Sequence, residues 1–305
     1  MSEQHAAAAP KPHANGRERQ GPVMPIGGAE ETEPGGAILQ RFLDLAGGDK
    51  ARIAVIPTAS QEAQRSGEGY VKLFREMGAA SADWMRIAGR EDAQSGPALD
   101  LIENATGLFI TGGDQARLVE FLAGTHVMEA IRDAHARGVV VAGTSAGASI
   151  LGAHVMVPGK GINGDAAARK GMMDTVAGFG LLQDVIVDQH FSERGRMGRL
   201  LAVFAANPGL LAVGLDEDTA VVIDGDGLLE TLGSGMVTLI DGRTTVSDFF
   251  DREDGDLLSV TGSSLTVLGP GHHFDLERRV ATDVNPEASG VNSGKAPGVL
   301  AGTPS

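Results

Sequence analysis

Residues 138–151 read GVVVAGTSAGASIL, and this stretch decides the fold class of the chain. Three consecutive valines lead into Gly143-Thr144-Ser145-Ala146-Gly147, and small residues suited to the start of a helix follow. Strand, tight turn and helix in this order are the context of a G-x-S-x-G nucleophile elbow, whose glycines avoid collisions in the turn. We therefore expect Ser145 at the carboxyl end of a buried strand, where the dipole of the next helix favours developing negative charge.

Strand-like and helix-like segments alternate around this elbow. The apolar patterns predict strands at 52–57, 108–111, 139–142 and 184–187, and helices at 66–77, 126–137 and 195–206. This alternation predicts an α/β fold with a mostly parallel sheet flanked by helices. Short strands with turn signals between them follow at 211–215, 219–223, 235–240 and 265–268. We expect these to add an antiparallel C-terminal edge to the same sheet.

Length and composition limit the organisation and the possible partners. The 305 residues predict one α/β domain over 21–282, between disordered tails at 1–20 and 283–305 that lack apolar periodicity. Cysteine is absent from the sequence, which excludes disulfides and thiolate chemistry. The net charge of −15 argues against binding to nucleic acid or to an anionic membrane surface. No apolar run approaches the ~20 residues of a membrane span, so a cytoplasmic location is expected.

Polar residues follow three of the predicted strands. The segment 112–115 (GGDQ), Ser145 and the segment 188–190 (DQH) each come directly after an apolar run. Ligands of α/β sheets bind at the carboxyl ends of the strands, so these groups are expected to share one cleft. His190 is the predicted general base, and the backbone amides of Gly113 and Ala146 are the predicted oxyanion donors. No compact set of metal-binding side chains is evident, so neither metal nor cofactor is expected.

Three arginines, Arg194, Arg196 and Arg199, lie within six residues directly after the candidate base. Guanidinium groups bind carboxylates through paired hydrogen bonds, so the cluster suggests recognition of an acidic group. The alternative is a solvated helix start in which Glu193 is the local partner. Because arginines oppose the dipole at a helix N-terminus, a functional reason for them gains weight.

Two other enzyme classes fit the chain less well. Lipase-like α/β-hydrolases use the same elbow, but their histidine lies far downstream, whereas His190 follows Ser145 by only 45 positions. A dinucleotide-binding fold requires G-x-G-x-x-G in its first βα unit, and residues 25–30 (PIGGAE) do not match that pattern.

Four motifs together resemble the cyanophycinases, members of serine peptidase family S51. They are IGGAE at 26–30, TGGDQ at 111–115, GTSAGA at 143–148 and DQHFSERGRMGRLL at 188–201. The resemblance spans roughly residues 22–279. It implies a class I glutamine-amidotransferase-like (flavodoxin-like) fold, usually as a homodimer. It also implies hydrolysis of cyanophycin, a polyaspartate with arginine on its side chains, to β-Asp-Arg dipeptides by a serine exopeptidase.

The resemblance also implies roles for individual residues. Ser145 is the nucleophile and His190 the base. The substrate pocket is lined by Gln115, Asp188, Gln189, Arg194, Arg196 and Arg199. A pocket with cations beside carboxylate and amide groups suits a substrate in which every unit carries both a free carboxylate and a guanidinium.

One departure from the family pattern concerns the third catalytic group. The resemblance implies a glutamate about eighteen residues after the nucleophile, but residues 157–174 (VPGKGINGDAAARKGMMD) contain none. Asp165, the nearest carboxylate, is therefore the predicted third member, which orients the histidine; the alternative is an orienting group from elsewhere in the chain. Two alternatives remain open beside a cyanophycinase: an S51 aspartyl or isoaspartyl dipeptidase, and a catalytically weakened binding or sensor protein on the same fold.

Overall fold

The computed structural model describes residues 20–94, 96–160 and 167–283. Apart from residues 20 and 283, the two predicted tails lie outside this range, so the domain boundaries stay predictions. Within it, no helix has the length and apolar character needed to cross a membrane.

Seventeen strands occur in the described residues. In chain order they are β1 (Val23–Ile26), β2 (Arg52–Ile56), β3 (Ser81–Trp84), β4 (Gly107–Ile110), β5 (Val140–Thr144), β6 (Gly152–Pro158), β7 (Met173–Ala177), β8 (Leu182–Gln189), β9 (Leu211–Leu215), β10 (Thr219–Ile223), β11 (Leu228–Gly233), β12 (Val237–Asp241), β13 (Val246–Ser247), β14 (Val260–Thr261), β15 (Ser264–Leu268), β16 (His273–Asp275) and β17 (Val280–Ala281).

Seven α-helices connect or flank these strands in the same part of the chain. They are α1 (Ala37–Leu45), α2 (Ala63–Glu76), α3 (Gly96–Asn104), α4 (Gln115–Leu122), α5 (His126–Ala136), α6 (Ala146–Ser149) and α7 (Met197–Ala206). The predicted helices at 66–77, 126–137 and 195–206 correspond to α2, α5 and α7, with ends displaced by three residues or fewer.

The first sheet has nine strands in the order β17-β16-β11-β10-β1-β5-β4-β2-β3. Strands β1 to β5 pair in parallel, and β10, β11, β16 and β17 continue the sheet antiparallel. The order β3-β2-β4-β5 is that of flavodoxin-like doubly wound sheets. The predicted mixed α/β class with a parallel core and an antiparallel edge is confirmed.

The expectation that every later strand joins this sheet is wrong. Strands β9, β12 and β15 belong to a second, six-stranded sheet of order β15-β12-β9-β8-β6-β7. This sheet also contains β8, which precedes His190. Strand β5 lies inside the first sheet, between β1 and β4, and β6 does not pair with it. Strand β6 pairs instead with β7 and β8, and β8 pairs in parallel with β9, so the chain after the elbow builds a second sheet from its own strands.

The core forms three apolar layers around the two sheets. On one face of the first sheet, Phe42 of α1 and Phe74 of α2 pack against Phe109, with ring centroids 5.2–5.4 Å apart. Side chains of its other face pack against α3 to α6 and against the second sheet. Helix α7 covers the far side of the second sheet. The two sheets thus share a core, which brings the ends of β5 and β8 together.

Candidate active site

Ser145 lies on a sharp turn between the buried strand β5 and helix α6. Its backbone has φ 52° and ψ −114°, a conformation that costs energy for a residue with a side chain. A Cβ on Gly143 would lie 2.1 Å from the Gly147 carbonyl oxygen, and one on Gly147 would lie 2.3 Å from the Ile110 carbonyl oxygen. The elbow predicted from the sequence is therefore present, and both of its glycines are sterically required.

His190 follows β8 directly and faces the nucleophile across the gap between the sheets. Its Nε2 atom is 2.9 Å from Oγ of Ser145, which is hydrogen-bonding distance for proton transfer. The backbone at His190 also has a positive φ, 46°, so the chain turns sharply as it leaves β8. The imidazole is nearly buried, with 10 % of its side chain exposed.

Glu217 supplies the carboxylate that contacts this histidine. Its Oε1 atom is 2.6 Å from Nδ1 of His190, on the opposite side of the ring from Ser145. Glu217 lies in the short connection between β9 of the second sheet and β10 of the first. A carboxylate at Nδ1 selects the tautomer whose Nε2 can accept the serine proton, and it stabilises the imidazolium that results.

Glu217 was not among the site residues predicted from the sequence. Asp165, which was predicted in this role, lies outside the described residues. One available signal was that Glu217 closely follows the fully apolar strand β9, just as His190 follows β8. Neighbouring parallel strands end at the same edge, and β8 pairs in parallel with β9.

The candidate oxyanion donors belong to helix α6 and to the GGDQ turn. Ala146 is the first residue of α6, so its amide has no acceptor within the helix. Gly112 lies close enough that a Cβ there would be 3.2 Å from Cβ of Ser145. Gly113 has φ 143°, and its Cβ would lie 2.2 Å from the Ala59 carbonyl oxygen. The contact of Gly112 places the GGDQ turn against Ser145, and the donor role of Gly113 stays a prediction.

Two of the three clustered arginines are bound to a buried carboxylate. The side chain of Asp188 has no exposed surface, and those of Arg196 and Arg199 are 8 % and 12 % exposed. Arg199 donates from Nε to Asp188 at 2.7 Å, and Arg196 donates from Nη1 at 3.2 Å. Burial of an ion pair is costly, and the multiple hydrogen bonds of this cluster offset that cost.

The same cluster reaches the nucleophile through Gln189. Arg196 donates to both the backbone carbonyl and the Oε1 atom of Gln189, the latter at 2.9 Å. The Oε1 atom also lies 3.4 Å from Oγ of Ser145. Asp188, Gln189, Arg196 and Arg199 therefore form a hydrogen-bonded wall beside the serine.

The remaining predicted pocket residues lie apart from this wall. The side chain of Gln115, at the start of α4, donates to the carbonyl of Met156. Arg194 is exposed, and its backbone amide donates to the carbonyl of His190 at 3.2 Å. Over the described ranges, no three histidine, aspartate or glutamate side chains are arranged to hold a metal ion.

An elbow serine, an imidazole and a carboxylate in one hydrogen-bonded line on an α/β scaffold define a serine-type hydrolase. The model of peptidase family S51 matches residues 23–231. The chain belongs to peptidase family S51 and is a serine-type peptidase.

Curated relatives agree with this family, and two solved structures share the fold. The chain is 42% identical over 260 residues to a cyanophycinase of Trichormus variabilis, covering 84% of this chain and 86% of that one. It is 39% identical over 255 residues to a cyanophycinase of Geminocystis herdmanii, with coverages of 83% and 93%. The crystal structure of a peptidase from an acI-B1 actinobacterium shares the fold, with a TM-score of 0.63, 22% identity, and coverages of 85% and 98%. A putative peptidase E of Listeria monocytogenes has a TM-score of 0.50 at 16% identity, with coverages of 71% and 100%.

Proposed function

We propose that this chain is a serine exopeptidase that hydrolyses cyanophycin to β-Asp-Arg dipeptides. The observation that carries the proposal is the continuous line from Ser145 through His190 to Glu217, with contacts of 2.9 and 2.6 Å. The choice of substrate is supported by relatives about 40% identical over most of the chain that bear the name cyanophycinase.

The proposed chemistry is acyl transfer through the serine. Oγ of Ser145 attacks the carbonyl carbon of the polyaspartate backbone while Nε2 of His190 takes its proton. Glu217 stabilises the imidazolium, and the amides of Gly113 and Ala146 stabilise the oxyanion. His190 then protonates the leaving amine, and a water activated by the same ring hydrolyses the acyl-enzyme.

The residues of the pocket divide into two proposed roles. Arg194 is exposed beside His190 and is suited to bind a free carboxylate of the substrate directly. Arg196 and Arg199 are held by Asp188, so their first effect is to orient Asp188 and Gln189 in the pocket wall. Contact of all six predicted pocket residues with substrate remains part of this proposal.

The proposal is tested by incubating the purified protein with cyanophycin and measuring soluble dipeptide. Wild type is expected to release β-Asp-Arg, and Ser145→Ala is expected to lose about a millionfold in kcat, as in other serine peptidases. Ser81→Ala, at an exposed position on the edge strand β3, is the matched control and is expected to behave as wild type. No release by wild type, or equal release by Ser145→Ala, would refute the proposal.

The two alternatives are outcomes of the same assay. Turnover of short β-aspartyl dipeptides without turnover of the polymer would indicate an aspartyl or isoaspartyl dipeptidase. Binding of the polymer without turnover would indicate a binding or sensor protein. That last alternative rested on the absence of the expected glutamate, and the contact of Glu217 with His190 supports the hydrolase instead.

Two further expectations, a homodimer and a cytoplasmic location, also belong to the proposal. The homodimer rests on the family resemblance alone. Light scattering of the purified protein and fractionation of the source cells test these two points separately.

A further inference from the structure

The end of β1 continues into residues 26–30 (IGGAE). This segment contacts the backbone at Ser145, at His190 and directly after Glu217. The carbonyls of three consecutive residues, 26–28, accept hydrogen bonds from the amides of Ser145, His190 and Asp218, at 3.0, 2.9 and 2.8 Å respectively. Asp218 follows Glu217 directly. We call residues 26–30 the template segment, because one short stretch of backbone holds the nucleophile, the base and the residue after the carboxylate.

The template segment also packs against the imidazole. Gly28 has φ 101°, and a Cβ there would lie only 2.4 Å from Cε1 of His190. Ala29, the next residue, has φ 49°, which is strained for a residue with a side chain. Such a conformation persists only where surrounding contacts enforce it, so the segment needs an anchor.

Glu30 provides that anchor. Its side chain is buried, with 6 % of the residue exposed. Oε2 accepts a hydrogen bond from Oγ1 of Thr144 at 2.5 Å, and Oε1 accepts one from the hydroxyl of Tyr70 at 2.7 Å. Thr144 directly precedes the nucleophile, and Tyr70 lies on α2. One carboxylate therefore ties the template segment to the elbow and to a helix of the core.

The protonation state of Tyr70 is consistent with its role as a donor. Burial raises the pKa of Tyr70, and the charge of Glu30 and their hydrogen bond raise it further. The hydroxyl therefore keeps its proton and donates to the carboxylate. Burial of a carboxylate is costly unless donors compensate it, and here two hydroxyl groups do so.

We infer that Glu30 is a positioning residue, which holds Ser145 and His190 in register through Thr144 and the template segment. The inference rests on the proposed function only in taking Ser145 as the nucleophile. It does not depend on which peptide is cleaved.

The experiment measures the reactivity of Ser145 towards a fluorophosphonate probe. Oγ of Ser145 forms a bond to phosphorus, fluoride leaves, and the serine proton passes to His190. Glu30→Gln keeps the shape of the side chain but replaces one acceptor oxygen by a donor. A displacement of reacting groups by about 1 Å costs up to ~100-fold, so we expect labelling and kcat to fall ~10- to 100-fold with KM within about twofold. Glu33→Gln, the same change at an exposed position, is the matched control and is expected to label as wild type.

Variants of Thr144 separate positioning from general stability. Thr144→Val removes the hydroxyl that donates a hydrogen bond to Glu30, and it is expected to slow labelling as much as Glu30→Gln does. Thr144→Ser keeps a hydroxyl at this position and is expected to retain most of the labelling rate. Because the two groups act as a unit, the double variant Glu30→Gln/Thr144→Val should be little slower than either single variant.

Three results would overturn the inference. The first is that Glu30→Gln is labelled at the wild-type rate. The second is that Thr144→Ser and Thr144→Val lose the same fraction of the labelling rate. The third is that the labelling rates of the variants fall only in proportion to their melting temperatures. Failure of the proposed function is distinguishable from these, because it would leave wild-type labelling rapid while no cyanophycin is cleaved.

Discussion

Replacing Glu217 with glutamine removes the negative charge at Nδ1 of His190 and leaves a side chain of nearly the same shape. The Nδ1–Oε1 contact is 2.6 Å, so the carboxylate interacts directly with the imidazolium that forms when Ser145 gives up its proton. Glutamine can present either its oxygen or its NH₂ group to the ring. Its NH₂ group would select the wrong tautomer.

The exposure of Glu217 sets the size of the expected effect. Loss of a fully buried triad carboxylate costs about 10⁴-fold in kcat. The side chain of Glu217 is 38 % exposed, so water compensates part of the lost charge. We therefore expect kcat to fall by about 10²- to 10³-fold, which corresponds to about 2.7–4 kcal/mol. KM is expected to change little, because the interaction strengthens mainly in the transition state.

The assay compares Glu217→Gln with Asp165→Asn in steady-state hydrolysis of a defined β-Asp-Arg oligomer. Asp165→Asn is expected to keep kcat near that of wild type, and both variants should retain the wild-type circular dichroism spectrum. A large fall in Asp165→Asn with near-normal turnover by Glu217→Gln would refute the assignment. It would show that the carboxylate predicted from the sequence orients His190 during turnover.

Three further predictions concern steric fit, buried charge and pH. Gly28→Ala should lower kcat by about 10²-fold by displacing His190, whereas Gly35→Ala, with a similar φ of 107° and no neighbour within 4 Å, should leave kcat unchanged. Asp188→Asn should lower the free energy of unfolding by about 3–5 kcal/mol, measured in urea, because it removes the negative charge that two buried guanidinium groups contact. Burial lowers the pKa of His135, so the unfolded chain binds a proton more readily than the folded one, and the free energy of unfolding decreases as the pH falls below about 6.5. His135→Gln lacks this proton, so its free energy of unfolding should decrease less than that of wild type between about pH 7 and pH 5, measured in urea.

Local pattern was enough to locate the elbow and most of the elements that carry the site. The strands β9 and β10 have the predicted bounds, because short apolar runs between turn residues have few alternatives. Ser145 was identifiable because its glycines, the valines before it and the small residues after it all act within about fourteen residues. His190 was identifiable because it follows an apolar strand and lies within the motif DQHFSERGRMGRLL at 188–201.

Strand pairing and side-chain contacts between distant segments could not be predicted from local sequence patterns. The second sheet forms because β8 pairs with β6 and β9, and β9 pairs with β12, and these strands lie far apart in the chain. Arg196 and Arg199 matched the expected composition of a substrate pocket, but composition does not show that a buried Asp188 binds them both.

The sequence by itself determined the α/β class and predicted Ser145 as the elbow serine and His190 as its base, because these depend on short-range sterics, hydrophobic periodicity and local motifs. Only the tertiary structure decided that Glu217 contacts His190 and that Glu30 ties the template segment to the elbow. Both carboxylates lie in connections without periodicity, and their partners are set by the register of strands far away in the chain. A hydrogen bond of this kind depends on positions within a fraction of an ångström, which strand pairing and the packing of sheets and helices supply.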